Sequence, residues 1–166
     1  MEQSYKLSSN MSRDISKVLI KIEDDAMWDQ MMELSDTKLV VVDIHQEWCG
    51  CCESVHPSMS RVLVDYDEIE ARFQYCTASI GKVGTKIQAS LPSDSRIDLE
   101  KNGCLPIFGV YRVRDIISDI SFCFAPYDTF IYFLQGRTCI AAIVGVDSPT
   151  LLMQIAQNMP EKPAKE

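Results

Sequence analysis

The chain has 166 residues, 46% hydrophobic and 24% charged, with a net charge of −8. That length and apolar fraction suit one domain with one core. The acidic balance excludes nucleic acid as the main partner, because phosphate binding needs a basic face. No apolar run approaches the roughly 18–20 residues that span a bilayer, and Met1 to Asp14 are too polar for a secretory leader. The chain therefore reads as cytoplasmic, with no membrane partner.

Residues 1–17 read as a flexible polar lead, 18–159 as a single domain and 160–166 as a polar tail. Val18–Ile22 has the composition of a short strand. Glu23, Asp24 and Asp25 then open a helix to about Leu34, since acids in a first turn face the positive end of the helix dipole. Trp28, Met31 and Met32 share one face of it, which points to core packing. Leu39–Val42 is apolar on both faces, as a buried central strand should be. A helix is predicted from Gly50 to about Tyr66, with Val55, Met59, Val62 and Leu63 inward and a kink at Pro57, which lacks an N–H.

Phe73–Ala78 reads as the next strand, and 81–103 as loop with room for one helix. Thr129–Gln135 and Thr138–Val144 read as a hairpin turning at Gly136 and Arg137. Asp147, Ser148 or Thr150 caps a last helix over about Pro149–Asn158. Five strands interleaved with helices, with the last two strands antiparallel, predict an α/β fold: a central mixed sheet between helical layers.

The chemistry concentrates at Trp48-Cys49-Gly50-Cys51-Cys52, just after the strand Leu39–Val42 and Asp43. Two cysteines three apart at the start of a helix can close and reopen a disulfide. The seven cysteines are an odd number without regular spacing, so a secreted disulfide scaffold is not expected. A metal site is the chemical alternative, with Cys49, Cys51, Cys52 and His45 or His56 as donors. Adjacent cysteines give awkward bite angles, however, and no second ligand pair stands at finger-like spacing. Neither a metal nor a cofactor is expected. Cys76, Cys104, Cys123 and Cys139 read as small apolar fillers, and His45 and His56 as surface or packing residues.

Asp43, Trp48, Cys49, Cys52 and Pro57, with Pro106, Gly136 and Gly145, resemble the thioredoxin superfamily over about residues 18–159. The run Val41-Val42-Asp43-Ile44-His45-Gln46 before Trp48 is similar, more narrowly, to ciliary thioredoxins, among them the thioredoxin-like light chains of axonemal outer-arm dynein. Cys104-Leu105-Pro106 and Gly145-Val146-Asp147-Ser148-Pro149 resemble that group too. The chain departs from the family at Cys51, which stands where a proline is usual, and at Thr77, which stands where many thioredoxins place a lysine beside the buried acid. The stretch between Phe73 and Pro106 is longer than the family needs, and the stretch after Pro106 departs further. Removing Ile107–Asp128 as an insertion joins Pro106 to Thr129 and leaves a thioredoxin-like strand and turn. In the alternative threading, Ile107–Arg112 is itself the strand.

The resemblance implies a thioredoxin-like three-layer α/β/α sandwich. It implies that Cys49 attacks a substrate disulfide, that Cys52 resolves the mixed disulfide, and that Asp43 is a buried acid beneath Cys52. It implies that Trp48, Gly50, Cys51, Leu105 and Pro106 form the substrate-binding face, with the Leu105–Pro106 bond cis. At its narrowest it implies a light chain bound to a dynein heavy or intermediate chain in the axoneme of a cilium. A free cytosolic protein-disulfide reductase and a redox-inert scaffold are the other readings.

Overall fold

The computed structural model describes residues 15–91, 97–99, 101, 106–111, 130–131 and 139–162. Among them six strands form one sheet in the order β1-β3-β2-β4-β6-β5. The strands are β1 (Leu19–Ile22), β2 (Leu39–His45), β3 (Phe73–Ser79), β4 (Ile107–Tyr111), β5 (Phe130–Ile131) and β6 (Cys139–Val144). The first three run parallel. Strand β4 is antiparallel to both β2 and β6, and β5 is antiparallel to β6. The sheet is thus mixed, as the element order predicts.

Successive residues of a strand point to opposite faces, so each face of β2 feeds a different core. Leu39 and Val41 join Phe73, Tyr75, Phe108 and Val110 beneath helices α2 (His56–Asp65) and α5 (Ser148–Asn158). Val40, Val42 and Ile44 join Cys76, Ala78, Ile107 and Tyr111 beneath α1 (Asp25–Leu34) and α4 (Ile80–Ser90). A short helix, α3 (Ile69–Arg72), leads into β3. Every residue of β2 is buried, which explains its unbroken apolar run up to Asp43.

The caps follow the sequence closely. Asp24 accepts the Met27 N–H at 2.8 Å and opens α1, and Asp147 accepts the Thr150 N–H at 3.1 Å and opens α5. Ile15–Lys17 make a 3-10 turn, and Ile15 packs on the α2 side of the core. The tail is pinned at its first residue, where the buried Arg72 donates to the Pro160 carbonyl at 2.7 Å.

Two expectations are corrected. Residues 50–55 do not begin an α-helix: Glu53–Val55 form a 3-10 turn, and α2 starts only at His56. Pro57 therefore lies in the first turn of α2, where its missing N–H has no partner to lose and its ring causes no kink. The second correction concerns the insertion. Ile107–Tyr111 cannot be removed, because it is the strand that joins the two halves of the sheet: Ile107 pairs with Ile44 on one side and Val144 on the other. The expected hairpin partner survives in part as β5, at the sheet edge. Arg112–Asp128, the Gly136–Arg137 turn, Cys104 and Cys123 lie outside the described residues.

Strand β4 contains Gly109 for a steric reason. A Cβ there would come within 2.6 Å of the Tyr111 ring. That ring cannot swing away, because it is fully buried, stands edge-on to Trp28 at 5.8 Å and places its hydroxyl 3.2 Å from Ser90 Oγ. Gly109→Ala should lower stability by about 1–3 kcal/mol, the usual cost of overpacking. Urea unfolding would show this as a lower midpoint at unchanged slope; an unchanged midpoint would mean that the ring has room to move.

Candidate active site

Strand β2 ends at His45, and the chain then turns through Glu47–Cys49. The Cys49 and Gly50 N–H groups both donate to the Gln46 carbonyl at 3.1 Å. Gly50 has φ +73°, a left-handed conformation that glycine adopts without strain. This turn carries Trp48 outward, 71% exposed, with Cys49 exposed beside it. Cys51 and Cys52 are half-buried, and Cys52 starts the 3-10 turn that leads into α2.

Asp43 sits under this loop, fully buried. Its Oδ2 accepts the Cys52 N–H at 2.7 Å, which ties the loop to the sheet. Its Oδ1 has no hydrogen-bond partner. Burial pushes the carboxyl above its ordinary range, and the Cys52 N–H, His45 and His56 only partly oppose this. The Tyr75 hydroxyl also favours the carboxylate, but it falls short of hydrogen-bond geometry and is itself buried and unpartnered.

The other thiols separate by environment. Burial and the Asp43 charge push the Cys51 thiol up, which makes Cys51 a poorer thiolate than its position suggests. Burial pushes Cys76 and Cys139 up to about 12, as suits apolar fillers. Among the described residues no group of three His, Cys, Asp or Glu side chains is placed to hold a metal ion, and no helix is long and apolar enough to cross a membrane.

The structure thus brings Asp43, Trp48, Cys49, Gly50, Cys51 and Cys52 to one end of the sheet. Pro106 joins them there: it immediately precedes β4, and its carbonyl accepts the Gly145 N–H at 2.8 Å. Gly145 has φ +84°. Leu105, expected on the substrate face with a cis bond to Pro106, lies outside the described residues. Cys49 does not sit at a helix start. It stands seven residues before α2, beyond the reach of a helix dipole that fades within one turn. The sequence reading missed Tyr75, His45 and His56 as neighbours of Asp43. The two-residue spacing of Asp43 and His45 on one strand was the available signal.

No protein-family model matches the chain. A 49-residue segment is 33% identical to Thioredoxin-T of Drosophila melanogaster, and it spans 30% of this chain and 30% of that one. Among solved structures, thioredoxin O2 from Arabidopsis thaliana superimposes with a TM-score of 0.53 at 14% identity, covering 89% of this chain and 100% of that one. Thioredoxin NaTrxh from Nicotiana alata gives 0.52 at 15% identity, covering 86% and 94%. The chain has a thioredoxin-like fold, and the Thioredoxin-T segment adds support for kinship with that superfamily.

A carboxyl whose pKa is higher in the folded state than in the unfolded chain costs stability wherever the unfolded chain holds it ionised. The cost is present above the folded pKa and fades as pH falls toward the unfolded value near 3.8. Asp43→Asn keeps an acceptor for the Cys52 N–H and removes the charge. The variant should resist urea better than wild type at pH 7, and the difference should shrink toward pH 4. An advantage that did not change with pH would show that ionisation of Asp43 is not its source.

Proposed function

We propose that this chain carries out thiol–disulfide exchange through Cys49 and Cys52. The observation that carries the reading is the buried Asp43 carboxylate bonded to the backbone of Cys52. A half-buried thiol beside a buried acid of raised pKa is a thiol with a proton acceptor at hand. An exposed thiol three residues earlier, beside an exposed tryptophan, is the group a substrate reaches first.

The steps balance as follows. The Cys49 thiolate attacks one sulfur of a protein disulfide. A Cys49–substrate disulfide forms, the substrate S–S bond breaks, and the departing thiolate takes a proton from water. Cys52 then gives its proton to Asp43 and attacks Cys49 Sγ. The Cys49–Cys52 disulfide forms, and the second substrate thiolate leaves and is protonated. The substrate disulfide gains two electrons and the protein dithiol loses two, so a thiol reductant must restore it. Trp48, Gly50, Cys51, Leu105 and Pro106 are the proposed contact face, where an extended peptide can lie against backbone.

Two variants test this with an insulin-type disulfide reduction assay. Cys49→Ser should fall to the level of the uncatalysed blank, and Cys52→Ser should accumulate a mixed disulfide detectable by intact mass. A wild type no faster than the blank would remove the reading and leave an inert scaffold of this shape.

The narrower proposal is that this module works as a light chain of axonemal outer-arm dynein, bound to a heavy or intermediate chain in the cilium. Its support is the sequence resemblance at Val41–Trp48, Cys104–Pro106 and Gly145–Pro149. The alternative is a free cytosolic reductase of protein disulfides. Co-sedimentation with purified axonemes separates them: the light chain should pellet in salt that preserves the arms, and wholly soluble behaviour would favour the free reductase.

A further inference from the structure

We propose that Gln46 is a positioning residue for the dithiol: it holds the Cys49 turn with its carbonyl and ties that turn to the segment around Leu99 with its side-chain amide, and so fixes where Cys49 stands relative to Cys52. This deepens the exchange reading above and rests on it for its kinetic consequence alone. Gln46 is the first residue after β2, and it is half-buried. Its carbonyl accepts the Cys49 N–H and the Gly50 N–H, both at 3.1 Å. His45 Nδ1 lies 3.1 Å from the same oxygen. The Gln46 side chain reaches a different part of the chain: its Nε2 donates to the Leu99 carbonyl at 2.8 Å, across 53 positions of sequence.

Both points that Gln46 joins are themselves fixed. On one side stands β2, buried along its whole length and paired with β3 and β4. On the other, Leu99 is 6% exposed and packs in the core beneath α1 and α4. The chain folds back on itself around Leu99: the Lys101 N–H donates to the Asp98 carbonyl at 3.2 Å, and Lys101 Nζ stands 2.8 Å from Asp98 Oδ2. The amide therefore ties the end of the central strand to a seated anchor. Glutamine suits this task, because its neutral amide donates to a carbonyl. Without that donor, Gln46 would be held through its main chain alone, and the turn that hangs from its carbonyl would open more readily. The two steps of exchange make unequal demands on the turn. The first attack needs only an exposed thiolate, whereas resolution needs Cys52 and Cys49 Sγ held in line. The clamp thus acts on resolution.

The test is amide hydrogen exchange of the reduced protein in Gln46→Met, which keeps the length of the side chain and removes the donor without adding charge. Exchange at Cys49 and Gly50 should quicken about fivefold, the worth of one hydrogen bond, while the amides of β1 and α5 keep their wild-type rates. Unchanged rates at Cys49 and Gly50, or a rise shared by β1 and α5, would overturn the proposal. If Gln46→Met fails to fold, Gln46→Asn decides in its place: its amide is one carbon too short for Leu99, so the same local rise is expected, and its absence would overturn the proposal. A single turnover with glutathione disulfide, quenched and read by intact mass, gives the kinetic consequence. Formation of the mixed disulfide at Cys49 should keep its wild-type rate, and its decay should slow about fivefold. Equal slowing of both steps would mark a loss of packing and count against the clamp, as would an unchanged decay. A wild type that reduces no disulfide would remove the exchange reading, and the amide exchange would still decide this one.

Discussion

One hydrogen bond organises this end of the molecule: the Cys52 N–H to the Asp43 carboxylate, 2.7 Å long and set at the buried end of the central strand. A carboxylate placed here costs stability, because burial disfavours its charge. Replacing it with an apolar residue would serve packing better. What the acid provides is a fixed point beneath the loop that carries the cysteines. Strand order, the late start of α2 and the placement of the thiols all act through that contact.

The sheet supplies the rigidity that the contact requires. β2 is flanked on both sides by paired strands and covered on both faces by helices. Its last residues therefore have little freedom, and functional groups held by such an element are placed more accurately than groups on a loop alone. The cysteines occupy the opposite regime. Trp48 and Cys49 project from a turn held by two hydrogen bonds to one carbonyl, which leaves them accessible to a large substrate.

Much of this was legible in the sequence because burial leaves a plain record. Leu39–Val42 read as a central strand, and Glu23–Asp25 and the group Asp147, Ser148 and Thr150 marked the two helix starts at which Asp24 and Asp147 prove to be the caps. The element that misled is β4. A buried central strand accepts almost any apolar run, and both Ile107–Tyr111 and Thr129–Gln135 qualified on composition. What distinguishes them is register: Ile107 must meet Ile44 and Val144 at once, and Gly109 must leave space for the Tyr111 ring. Neither constraint is visible in a single segment. The helix start was misjudged for a related reason. The inward spacing of Val55, Met59 and Val62 was correct, but periodicity cannot tell a 3-10 turn from the first turn of an α-helix. Tyr75, His45 and His56 escaped notice because their proximity to Asp43 depends on how β2, β3 and α2 are aligned, and no local pattern records that.

The third cysteine sets the sharpest demand on this account. Cys49, Cys51 and Cys52 lie close enough in sequence for several pairings, and their environments differ: burial and Asp43 push the Cys51 thiol up, while the Cys52 backbone is anchored to the acid. The most direct measurement is the disulfide connectivity of the purified chain after equilibration in a glutathione redox buffer, read by peptide mass mapping. The account predicts a single dominant bond between Cys49 and Cys52. A dominant bond to Cys51, or no intramolecular bond at all, would contradict it.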